Sequence, residues 1–182
     1  AKPEFKKYWQ INAHNKPLLT ENGVVLQNQL GDLVGKAHVD ILVPAADARK
    51  LEVFSGADAN SSFKFKYDAP VSSFAEGKGH RIMLTPNKES NNDHFLSVVQ
   101  LTSGDTKPLP VTHLVTPVSD VIVLADRVLS LNKGLDFINQ QFSFKIPVKG
   151  SYQVVLAGMK AGDWNVISAD GKVKFNTNVK EG

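Results

Sequence analysis

The 182-residue chain has no cysteine, which excludes disulfides, thiolate metal sites and a cysteine nucleophile. No apolar run approaches the ~18 consecutive residues of a membrane helix, so the sequence carries no such span. Excess charge of one sign is lacking too. Lys and Arg number 21 against 18 Asp and Glu, for a net charge of +3. The balance is even along the chain, with 12 basic and 10 acidic residues over 1–91 and 9 and 8 over 92–182. Nucleic-acid binders concentrate positive charge on one face or stripe. Such a partner is disfavoured here.

Familiar catalytic signatures are also missing. Glu76-Gly77-Lys78-Gly79-His80 has two glycines but no strand–loop–helix setting to aim amides at phosphate. No Gly-x-Ser-x-Gly elbow occurs. The five histidines (His14, His38, His80, His94, His113) include no i, i+4 pair, so nothing points to a metal, and no cofactor is expected. Asp58 to Ser62 lacks the glycine and the bidentate glutamate of a calcium loop. Asp93-His94 reads as a strand-end pair, more often structural than ligating. Asp93, Asp105 and Asp163 read as turn caps rather than paired catalytic carboxylates. The chain opens Ala1-Lys2-Pro3-Glu4 without an initiator Met or an apolar signal core. A processed product or a fragment of something larger is expected.

What is present is a succession of short β-rich runs divided by turn residues. Phe5–Asn12, Leu18–Gln29, His38–Pro44, Lys50–Phe54, Arg81–Pro86 and Asp93–Leu101 fill the first part. Phe63-Lys64-Phe65-Lys66-Tyr67 is the cleanest alternation, with one aromatic and one lysine face. Val111–Val115, Ser119–Leu124, Phe142–Pro147, Ser151–Ala157, Asp163–Ser168 and Lys172–Thr177 follow. The only passages with a helical look are Ala45–Lys50 and a turn near Ala125–Leu131, and neither is read as a helix. About a dozen strands at roughly 10-residue spacing predict an all-β fold: an antiparallel β-sandwich with little helix. We read 1–182 as a single region with a sub-boundary near 104–118.

The residues that could touch a ligand are few. Trp9 and Trp164 are the only tryptophans, and indoles are frequent platforms for sugar faces, although core packing is the commoner use of so much apolar area. Arg81 is one of three arginines, with Arg49 and Arg127, able to make the bidentate fork to a carboxylate or sulfate. Lys16, in the Asn15-Lys16-Pro17 turn, offers a simpler cation.

Three stretches resemble the C-terminal β-region of heparinase II/III-like polysaccharide lyases. The first is Lys6-Lys7-Tyr8-Trp9-Gln10-Ile11-Asn12 with Asn15-Lys16-Pro17. The second runs from Val39-Asp40-Ile41-Leu42-Val43-Pro44 through Leu51-Glu52-Val53 to Ser55-Gly56, answered by Arg81–Pro86 and Asp93–Gln100. The third is Val121–Val128 followed by Ala161-Gly162-Asp163-Trp164-Asn165-Val166 and Asp170-Gly171. The resemblance implies part of a large periplasmic or secreted bacterial enzyme that cleaves acidic, uronate-containing polysaccharides by β-elimination. It further implies that the remainder of the enzyme, an α-toroid and an upstream sheet, supplies the catalytic Tyr, His and Asn. No catalytic residue carries over to this chain, and Tyr8, Tyr67 and Tyr152 match strand positions only. The chain would buttress the catalytic module and line one side of the substrate cleft, with Trp9, Lys16, Arg81 and Trp164 as candidate contacts to the acidic polysaccharide. The alternative is a free-standing carbohydrate-binding or structural β-sandwich module.

Overall fold

A computed structural model describes Lys2 and residues 4–59 and 79–181. The Phe63–Tyr67 alternation, with Lys64 and Lys66, lies outside the described residues. Among the described residues, thirteen strands and two single 3-10 turns, Ala46–Ala48 and Gly56–Asp58, make up the regular structure, so the all-β expectation is met. The chain forms two compact units, Ala1–Leu109 and Pro110–Gly182.

In the first unit, β1 (Trp9–Ala13), β5 (Arg49–Ser55) and β6 (His80–Pro86) form a sheet in the order β1-β6-β5. β2 (Leu18–Leu19), β3 (Gly23–Leu30), β4 (Leu33–Val43) and β7 (Leu96–Ser103) form a second, ordered β2-β3-β4-β7. Every pairing in both sheets is antiparallel. Side chains alternate across a strand, so residues directly opposite one another share a face. Trp9, Leu84 and Leu51 therefore form one row and Ile11, Ile82 and Val53 the next, all facing the same way. That face meets Val24, Val39 and Ile41 of the second sheet, and together with Ile82 and Leu84 these make a buried core. The two sheets form the expected sandwich. Asp93-His94 precedes β7 rather than beginning it, and Asp93 Oδ2 accepts a 2.9 Å bond from Lys7 Nζ.

Two residues set the geometry at the end of β4. A Cβ on Gly23 would lie 1.9 Å from the Val39 carbonyl oxygen, so only glycine lets β3 start this close to its neighbour. Arg49 Nη1 donates 2.7 Å bonds to the carbonyls of Ile41 and Pro44, and Nη2 donates to Asn22 O at 3.1 Å. The Ile41 and Pro44 carbonyls lie beside the point where the β4–β7 register shifts, between Ile41 and Val43, and Asn22 O also accepts from Ile41 N at 2.8 Å, so Arg49 ties the start of β3 to the end of β4. Partial burial pulls the Arg49 pKa below its usual value.

In the second unit, β8 (Val111–Val115), β9 (Ser119–Leu124), β10 (Arg127–Asn132) and β11 (Gln153–Ala157) form a sheet ordered β11-β10-β9-β8. The turn between β8 and β9 is held by Thr116, whose Oγ1 accepts from Ser119 N at 2.8 Å. The stretch near Ala125–Leu131 holds a turn and a strand: Ala125 and Asp126 make a two-residue turn, and β10 runs back along β9 from Arg127↔Leu124. Two expectations need correction here. β11 pairs with β10 in parallel, not antiparallel, because the chain reaches it through residues 133–152, and a parallel neighbour requires such a crossover. Phe142–Pro147 lies in that crossover and is not a strand. Its alternation is real nonetheless. Phe144 and Ile146, with Tyr152, pack on buried Val121, Val123 and Val128, so the apolar period serves the core without a paired backbone. β12 (Gly162–Ile167) and β13 (Lys174–Val179) form a separate antiparallel hairpin.

Candidate functional site

The three-stranded sheet ends in a polar row. Ala13 pairs with His80 and His80 with Ser55, while Asn12 pairs with Arg81 and Arg81 with Phe54. His80 stands on the core-facing side and Arg81 on the opposite one, so the strand ends here present both to a cleft. The cleft measures about 310 Å³ and is lined by Asn12, Ala13, His14, Ala59, Gly79, His80 and Arg81. Its size falls at the low end of the ~300–1,000 Å³ usual for ligand pockets.

Three of the polar groups have a neighbour within reach. The Arg81 guanidinium lies 5.0 Å from the Phe54 ring centroid, a cation–π contact, and Nη2 donates to Asp58 O at 3.2 Å. His80 Nδ1 lies 2.7 Å from Ser55 Oγ; with the hydroxyl donating, Nε2 carries the ring proton. Asn12 Oδ1 accepts from Gln10 Nε2 at 3.3 Å, which directs the amide N–H groups away from Gln10. The His14 side chain is exposed. Guanidinium, imidazole and amide donors thus share one cleft, and no carboxylate among the described residues lines it. The arrangement suits an anionic or oxygen-rich ligand.

The structure separates the four residues the sequence singled out. Only Arg81 lines the cleft. Trp9 is partly buried and packs against the sandwich core, so its ring is used in packing. Lys16 is exposed beyond β1, and Asn15 anchors that turn by donating to Gln27 O at 3.0 Å. Trp164 belongs to β12 in the second unit, with Nε1 donating to Lys160 O at 2.8 Å. Of the other arginines, Arg49 is occupied by three backbone carbonyls, and Arg127 is exposed beside Asp126 at 3.4 Å. Sequence reasoning missed Asn12, His14 and His80. Their only signal was strand register, since His14 and His80 lie 66 positions apart and meet only because β1 pairs with β6.

Other groupings of chemical side chains are structural. His113 Nε2 meets Asp120 Oδ1 at 2.8 Å, with 19% and 4% of the side chains exposed, inside the β8–β9 hairpin. Asp163 Oδ1 accepts from Asn178 Nδ2 at 2.7 Å across β12 and β13, and Asp105 is exposed after β7. Tyr152 donates its hydroxyl to Val148 O at 2.8 Å. Among the described residues, no group of three or more His, Asp or Glu could hold a metal ion, and no helix is long and apolar enough to cross a membrane.

A comparison with curated proteins returns no match. Residues 114–182, 69 of the 182, match the family model of the heparinase II C-terminal domain; the match supports the resemblance for the third of the three stretches, from Val121 to Gly171, and the first two lie outside it.

Proposed function

We propose that this chain is the non-catalytic β-part of a polysaccharide lyase that cleaves acidic, uronate-containing glycans by β-elimination in the periplasm or outside the cell. Its role is to support the catalytic α-toroid and to line one side of the substrate cleft. The match of residues 114–182 to the heparinase II C-terminal domain carries this reading. β-Elimination needs a carboxylate neutraliser, a base and an acid within hydrogen-bond reach of one sugar. Tyr152 and the His113–Asp120 pair are committed to structural bonds. In this reading the reacting groups belong to the rest of the enzyme, as the resemblance implies.

The test has two arms. Unsaturated-uronate absorbance is followed after mixing the 182-residue chain, and separately the full product of its gene, with heparin, heparan, chondroitin and alginate. We expect no turnover by the chain alone and turnover of at least one glycan by the full product. Turnover by the isolated chain, or a full gene product with no further domain, overturns the proposal; the second outcome leaves a free-standing carbohydrate-binding or structural module.

A further inference from the structure

We infer that Asn22 is a site of spontaneous covalent modification in the folded chain, where its side-chain amide is lost as ammonia and an aspartyl or isoaspartyl carboxylate replaces it. Asn22-Gly23 is the one Asn-Gly step in the sequence, and glycine leaves the attacking nitrogen without a side chain beside it. Such steps are common in turns, so the dipeptide alone decides nothing. Its surroundings do. Asn22 is exposed between β2 and β3, and its side-chain amide makes no hydrogen bond among the described residues. Ile41 N donates to Asn22 O at 2.8 Å, which makes Gly23 and Asp40 a non-hydrogen-bonded pair of the β3–β4 ladder. The Gly23 N–H is therefore left out of that ladder, and no other backbone acceptor among the described residues takes it. Electrophile and nucleophile are adjacent and unengaged. Asp170-Gly171, which would react by the same route with loss of water, is the opposite case. There Asp170 Oδ1 accepts from Ser168 Oγ at 2.6 Å and Lys172 N at 3.1 Å, and Gly171 N donates to Ser168 O at 2.9 Å.

The steps balance without a redox partner. Gly23 N gives up its proton and attacks Asn22 Cγ; the Cγ–Nδ2 bond breaks, and the departing nitrogen takes up a proton and leaves as ammonia. Water then adds to one of the two carbonyls of the resulting succinimide. Opening at Cγ restores the ordinary backbone with an aspartate. Opening at the main-chain carbonyl leaves Gly23 joined through Cγ, an isoaspartate with an extra backbone carbon. Either product adds a negative charge. The isoaspartate also displaces the carbonyl that Ile41 N and Arg49 Nη2 hold. Gly23 cannot slide to recover those bonds, because the Val39 carbonyl already occupies the space where a Cβ would stand. The start of β3 then loses its tie to the end of β4. Those same two bonds hold the Asn22 peptide in place, so ring closure waits for the carbonyl to turn, and the folded chain reacts more slowly than an unfolded one.

The experiment holds the 182-residue chain at mildly alkaline pH, with and without denaturant, and samples it by peptide mapping with mass spectrometry that separates aspartate from isoaspartate. Asn91 is the internal reference, exposed in a loop but followed by Asn92. In the folded chain Asn22 should convert at least about tenfold faster than Asn91, the equivalent of about 1.4 kcal/mol in the barrier. The rate should rise with pH, because the attacking nitrogen must lose its proton, and rise again in denaturant. Asp170-Gly171 should stay intact in the folded chain and isomerise only in denaturant. Amide NMR of the aged, folded chain should show the Gly23, Val24 and Ile41 signals displaced. Asn22→Asp, which carries the charge without the extra carbon, should leave Ile41 near its native position. Conversion of Asn22 only in denaturant, or conversion of Asn91 as fast as Asn22 in the folded chain, overturns the inference. So does loss of Asp170-Gly171 at the rate of Asn22 in the folded chain, since the two sites would then differ in hydrogen bonding without differing in reactivity.

Discussion

His113 and Asp120 meet at 2.8 Å between β8 and β9, with the carboxylate side chain only 4% exposed. A carboxylate placed there needs hydrogen-bond partners, because burying one without them costs more than the partner bond returns in water. His113→Ala should therefore destabilise the second unit by about 1–3 kcal/mol, and His113→Gln, which keeps a donor, by less. Denaturant unfolding followed by a probe in that unit measures both. Equal stability of His113→Ala and the parent chain would show that Asp120 does not depend on this bond.

Gly23 gives the sharpest steric prediction. A methyl group at this position falls 1.9 Å from the Val39 carbonyl oxygen, with the Val39 carbon at 3.0 Å and Ile41 N at 3.3 Å. All three atoms are backbone, so no side chain can swing aside to relieve the clash. Gly23→Ala must push β3 away from β4 where the buried residues Val24 and Val39 pair. A loss of about 3 kcal/mol or more is expected, at the severe end of single substitutions. Gly35→Ala is the control. It lies in β4 with nothing within 4 Å of a Cβ, and it should change stability far less. A mild effect of Gly23→Ala in the same unfolding assay would contradict the packing described here.

How much was legible in the sequence is clearest around Ala125. Runs such as Arg81–Pro86 and Ser119–Leu124 show themselves as strands through β-branched and apolar alternation bounded by turns. The β9–β10 hairpin does not, because its two-residue turn is Ala125-Asp126 rather than the usual Asn-Gly or Asp-Gly. Ala125 takes φ 51° there, a conformation that costs L-residues roughly 1–2 kcal/mol. Tertiary pairing overrides the local preference, which no reading of propensity registers. The crossover at Phe142–Pro147 misleads in the opposite direction: a period of two reports which side chains are buried, not whether the backbone has a partner. In the cleft, Arg81 was legible from its chemistry. His14 and His80 were not, since their proximity is a consequence of the β1–β6 register.

The same residue supplies a stabilising substitution. Ala125→Gly removes the Cβ from a left-handed position, and the gain should exceed glycine's extra unfolded-state entropy, for a net of about 0.5–1 kcal/mol. A matched rise in unfolding midpoint at unchanged denaturant sensitivity would support this. A fall would mean that the turn does not hold Ala125 at positive φ in solution.

The last prediction concerns acid. The Asp170 carboxyl is held below the usual aspartate range chiefly by the Ser168 hydroxyl, whose Oγ donates to Oδ1 at 2.6 Å, and then by the Lys172 amide at 3.1 Å. Ser168 Oγ also accepts from Val173 N at 3.0 Å, so the three groups close the turn between β12 and β13. A depressed carboxyl pKa means that the folded turn favours the ionised form. Its contribution to stability is therefore complete above the unfolded-state pKa and is lost as pH falls through the lower folded value. Carbon NMR of the Asp170 carboxyl should show a midpoint below the usual aspartate range. Ser168→Ala should move the midpoint upward, because it removes the largest cause of the shift while leaving the Lys172 amide in place. Asp170→Asn should abolish the acid-side loosening of the hairpin, read from the amide signals of Lys172 and Val173. A midpoint that stays put in Ser168→Ala would show that the hydroxyl does not hold the charge and that the turn is closed by the backbone alone.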